Sequence, residues 1–198
     1  MFPKTPSITC HDPLADLLGA GSEPFTYTFE DAVKLAGHAC PTVAGAFLLA
    51  KKAMELLYPD TMPQRGDVAI LVPGSMDEGV TGPITQIFTL ITGAAATNGF
   101  KGLGGYFNRM NLMRFEKAWD TSEPFLFKRL SNQQEVCLSY SPHHFPPSPK
   151  IGMLLPLILS NRATPAQTEE FGSIWRHRVL DILADDGEHT IFQHTPNQ

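Results

Sequence analysis

Gly37 and Pro41 bracket a three-residue joint, His38-Ala39-Cys40, and that joint decides how the middle of this chain is built. Thr28 followed by Asp31 and the run Ala32-Val33-Lys34-Leu35-Ala36 reads as an N-capped helix with an acidic first turn. Gly37 ends it, as helix-terminating glycines do. Proline is favoured at the first helical position, where its missing N–H would have no partner anyway. Pro41 therefore opens a second helix, running to about Tyr58, where Pro59 and Pro63 stop it. Cys40 falls at or near the N-cap of that helix. Backbone N–H groups and the positive end of the helix dipole meet there, and they favour a thiolate, which is both the nucleophile and the metal-binding form of cysteine. His38 adds a nitrogen ligand or a base.

The rest of the chain follows from its hydrophobic periods. Val43, Ala44, Phe47, Leu48 and Met54 give the second helix an apolar face, and Ala44-Gly45-Ala46 would admit another backbone closely. Asp67 to Val72 reads as a buried strand. A loop from Gly74 leads to a third helix at Thr81-Gly82-Pro83, with Ile84, Ile87, Phe88 and Ile91 at helical spacing. Strands are expected at 112–115, 125–130 and 135–140, with a polar stretch between the first two and a turn at Asn132-Gln133. Two helices, a strand, a helix and then strands is not the alternation of a doubly wound sheet. It predicts an α+β fold, a mostly antiparallel sheet with helices packed on one side, plus a C-terminal helical extension.

The expected division is an irregular, proline-rich N-terminal arm over 1–27, a core domain over 28–141, and a linker with helical extension over 142–198. In the extension Thr164-Pro165-Ala166-Gln167 is a capping box. Phe171, Ile174, Trp175, Val179, Ile182 and Leu183 make one apolar stripe, suited to core or dimer contact, and the chain is expected to fray from Asp185.

A net charge of −5 without a Lys/Arg cluster argues against nucleic-acid binding. No stretch reaches membrane-spanning length, and Met1 to His11 lacks the apolar run of a signal peptide, so a cytoplasmic location is expected. The three cysteines, Cys10, Cys40 and Cys137, form no C-x-x-C pair, so no zinc ribbon or disulfide framework is encoded.

Cysteine, histidine and carboxylate together suit a divalent transition metal, zinc above all. His38 and Cys40 could supply two zinc ligands from one loop. Asp77 or Glu78 would supply a third if the loop after the first strand lies against the second helix. His11 is a further candidate, with Asp12 as the carboxylate that would orient it. Phe100 to Gly105 could cradle an anion through glycine N–H groups and Lys101, or be a simple turn. His143-His144 reads as surface.

Gly37-His38-Ala39-Cys40-Pro41 followed by Val43-Ala44-Gly45-Ala46 resembles the G-H-x-C-P signature of the FmdE-like family, which takes its name from formylmethanofuran dehydrogenase. Asp77-Glu78-Gly79-Val80, Gln86 and Thr92-Gly93 continue the likeness, which covers roughly residues 28–140. Glu78 and Ala94 stand where many members carry cysteines, and the C-terminal zinc finger of many members is absent. The resemblance implies a homodimer formed through the core domain. Three readings stay open: a metal-dependent enzyme acting on a small molecule, a non-catalytic accessory protein for molybdenum or tungsten enzyme assembly, and a metal-independent thiol enzyme with Cys40 as nucleophile.

Overall fold

The computed structural model describes residues 5–21, 23–116 and 124–195. It has an α+β fold, with most of the sheet antiparallel. The elements are β1 (Ser7–Cys10), α1 (Pro13–Leu17), β2 (Phe25–Thr28), α2 (Phe29–Ala36), α3 (Pro41–Leu57), β3 (Val68–Pro73), α4 (Thr81–Thr92), β4 (Met113–Glu116), β5 (Phe125–Arg129), β6 (Glu135–Tyr140), α5 (Pro149–Leu159), α6 (Pro165–Ala184) and β7 (Ile191–His194). A 3-10 turn, Pro142–His144, precedes α5.

Local signals place the helices where the sequence puts them. Thr28 and Asp31 form a reciprocal capping box at the start of α2. The Thr28 N–H on Asp31 holds that carboxyl below its ordinary range. Gly37 ends α2 in the left-handed region at φ 75°. Thr164 and Gln167 cap α6 in the same reciprocal way.

α3 is the central element. Val43 through Ala50 is buried at every position, so this stretch has no solvent face. It is enclosed by α2, α4, α6 and the sheet. The sheet runs β4-β3-β5-β6-β7, with β3 and β4 parallel and the other pairs antiparallel. Strand alternation buries Val68, Ile70 and Val72 of β3, and Ile70 sits opposite Phe127 of β5. Phe88 of α4 sets its ring edgewise on Phe125 and Phe127, with centroids 5.2 Å apart in both pairs. Helices therefore cover the face from which these side chains project.

Two expectations are corrected. The arm is not wholly irregular: β1 pairs antiparallel with β2, Cys10 opposite Phe25. Nor does the chain fray after Asp185. That carboxylate accepts the His189 N–H, His189 Nδ1 at 2.7 Å and the Thr190 hydroxyl at 3.0 Å. The chain then turns at Gly187 (φ 89°) into β7, which forms the sheet edge against β6. Val179, Ile182 and Leu183 of the α6 stripe are core residues of the same chain. The polar stretch before β5 falls on 117–123, outside the described residues.

Candidate functional site

The joint between α2 and α3 is fastened from the far end of the chain. Cys40 is the N-cap of α3, and the Val43 N–H donates to its sulfur over 3.4 Å. Trp175 Nε1 of α6 donates to the Ala39 carbonyl at 2.8 Å, and the Tyr140 hydroxyl donates to the Pro41 carbonyl at 2.8 Å. Burial pushes the Tyr140 hydroxyl pKa up, against the pull of Arg178, so it remains a donor at neutral pH. His38 is exposed, and its Nδ1 lies 3.0 Å from the Ala36 carbonyl. A carbonyl only accepts, so Nδ1 carries the proton in neutral histidine and Nε2 keeps its lone pair.

Gly45 explains the small residues at the start of α3. A Cβ there would lie 2.3 Å from the Tyr140 ring. The close neighbour is an aromatic ring, where the sequence suggested a second backbone.

Beside the joint lies a cavity of about 400 Å³. Pro41 and Thr42 bring the N-terminal end of α3 to it, and Val80 and Thr81 bring that of α4. Ala46, Leu49, Ile84 and Phe125 give it apolar walls, and Tyr140 joins the cavity to the joint. Glu78 is the charged residue of the lining, its Oε2 accepting the Ser75 N–H at 3.2 Å. Asp77 does not line it. Cys40 is half-buried, whereas Cys10 and Cys137 are buried. Burial raises both of those thiols, Cys10 to about 12.

The other candidates are elsewhere or differently engaged. His11 Nε2 meets Asp16 at 2.6 Å. Asp12 does not orient His11, which corrects the expectation; it accepts from Arg65 and Arg109, each at 2.7 Å. Among the described residues no three or more His, Cys, Asp or Glu side chains form a group that could hold a metal ion. The glycine-rich segment closes on itself, Leu103 and Tyr106 exchanging backbone hydrogen bonds at 2.9 Å. His143 and His144 are exposed on the 3-10 turn, His144 stacked on His189.

Tyr140, Trp175 and the Asp12-Arg65-Arg109 cluster have roles that the sequence pattern did not assign. Trp175 gave one faint signal, as an indole N–H that needs a partner when partly buried within an apolar stripe. Fold and joint together define an α+β protein in which a half-buried cysteine directly precedes two cleft-lining residues, Cys40 and His38 themselves lying outside the lining. No protein-family model matches the chain, and no curated protein matches it.

Proposed function

We propose that the cleft at the N-terminal ends of α3 and α4 takes a small, uncharged molecule with an electrophilic carbon, and that Cys40 attacks that carbon. One observation carries this: Cys40, half-buried, caps α3 directly before Pro41 and Thr42 of the cleft lining, while the other two cysteines are buried. The sulfur supplies the electron pair of the new S–C bond, and the displaced group leaves with its own bonding pair. His38, two residues away in the chain and with Nε2 making no hydrogen bond among the described residues, is the candidate proton carrier. Apolar walls suit an organic substrate, and Glu78 disfavours an anionic one.

A second reading is favoured by the His38–Ala36 bond, because a ring nitrogen held in this way orients the other nitrogen for a metal. His38 and Cys40 would then share a divalent transition metal, zinc, whose remaining ligands come from water, from a second copy, or from Asp77, Glu78 or His11 after movement. Under both readings we place the chain with the FmdE-like family on its G-H-x-C-P motif, and as a homodimer.

Iodoacetamide labelling with and without zinc separates the readings. The thiol reading expects rapid labelling of Cys40 that neither chelator nor zinc alters. The metal reading expects one zinc per chain that blocks labelling and is lost in both His38→Ala and Cys40→Ser. A Cys40 that is inert to label and does not bind zinc overturns both.

A further inference from the structure

At the other end of α4 lies a second cavity, of about 500 Å³, with a different chemistry. Its ionisable lining residues are Asp12, Arg65 and Arg109, two cations to one anion in a chain of net charge −5. The guanidiniums are held in place. Arg65 Nη1 and Arg109 Nη2 each donate to Asp12 at 2.7 Å. Arg65 also reaches the carbonyls of Thr89, Leu90 and Ile91 at the C-terminal end of α4, and its guanidinium lies 5.3 Å from the centre of the Tyr27 ring. The Arg109 side chain is 8% exposed. Its Nη1 is buried and has no hydrogen-bond acceptor among the described residues. Gly66 and Gly93 make the room for it: a Cβ on Gly66 would lie 1.6 Å from Nη1, and one on Gly93 2.9 Å.

The mouth supplies matching groups. Gln86 and Asn98 are exposed lining residues whose side-chain amides make no hydrogen bond among the described residues. Leu14, Leu35, Leu90 and Phe100 provide apolar wall.

We propose that this cavity binds a small organic carboxylate. Its anionic end faces the fixed positive charge of Arg65 and Arg109, its apolar body lies on Leu35 and Phe100, and the amides of Gln86 and Asn98 donate to its oxygens. Guanidiniums already fixed by Asp12 and the helix carbonyls need no reordering when the anion arrives. The site is separate from the Cys40 cleft and does not depend on the function proposed for it.

The test is titration of the full chain with benzoate and with benzamide, its uncharged analogue, followed by amide NMR shifts. Benzoate should move the side-chain amides of Gln86 and Asn98 and the backbone N–H groups of Gly93 and Gly99. Benzamide should bind at least about tenfold more weakly, as expected when a charge-assisted contact is lost. Gln86→Leu, at an exposed position where the fold is not at risk, should weaken benzoate several-fold without changing thermal stability. Equal binding of the two probes, shifts confined to the Cys40 cleft, or no shift at all overturns the proposal.

Discussion

The two ends of α4 face opposite kinds of cleft. At its N-terminal end the cleft has apolar walls, one carboxylate and the edge of the Cys40 joint. At its C-terminal end two arginines and one aspartate line the cavity. The charges follow the helix dipole, with Glu78 near the positive end and Arg65 on the last carbonyls. The ties differ too. Asp12 accepts from two guanidiniums and from the Leu14 N–H, so both of its oxygens hold the fold together. Among the described residues the Cys40 sulfur, though packed against the core, accepts one weak hydrogen bond, from the Val43 N–H, and the His38 ring makes one, to Ala36. A residue whose bonding is spent on the fold answers to mutation through stability. A residue left with bonding to spare answers through chemistry.

Asp12→Ala should produce the largest effect. It leaves Arg65 and Arg109 facing each other without their shared carboxylate and uncaps α1. A cost of about 3–5 kcal/mol is expected, the range for removing one partner of a buried ion pair. Urea unfolding measures it. A loss below about 1 kcal/mol, typical of exposed pairs, would erase the contrast between the two ends.

Gly45→Ala tests the Cys40 end through its scaffold. Alanine improves helix propensity by up to about 1 kcal/mol. Its Cβ would meet three atoms of the Tyr140 ring within 2.5 Å, at a fully enclosed stretch of α3. Overpacking of that kind costs about 1–3 kcal/mol, so a net loss of stability is expected. The Tyr140–Pro41 hydrogen bond should go with it, and a crystal structure of the variant would show the ring displaced.

How much of this could be read from the sequence depended on distance along the chain. Thr28, Gly37, Pro41 and Thr164 act on neighbours within a few residues, so the ends of α2, α3 and α6 were legible, as was Cys40 at an N-cap. The strands from β3 to β6 announced themselves by apolar runs. β1, β2 and β7 did not: they are four-residue segments whose ladders depend on a distant partner, and only pairing makes them strands. The same holds for the site. Tyr140 is 99 residues from Pro41, Trp175 is 136 from Ala39, and Arg109 is 97 from Asp12. No periodicity links such pairs. His11-Asp12 misled because adjacent residues point in different directions in extended backbone, and Asp16, one turn further on, reaches the imidazole instead.

Cys40→Ser should have the smallest effect on stability. A serine hydroxyl is a better acceptor for the Val43 N–H than sulfur, and serine ranks among the strongest N-caps. A change within about 0.5 kcal/mol is expected by thermal unfolding. A large loss would mean that the thiol itself is structural, and the two ends of α4 would then differ in charge alone.

The central claim, that Cys40 is the group left free to react, is tested most directly by its alkylation rate. Native protein should be treated with iodoacetamide at pH 7 without metal, and each cysteine followed by peptide mass spectrometry against glutathione in the same tube. Its partial exposure predicts that Cys40 is labelled in the native protein on the timescale of glutathione, while Cys10 and Cys137 stay unlabelled until the chain unfolds. A Cys40 that is labelled no faster than the two buried thiols would contradict the account.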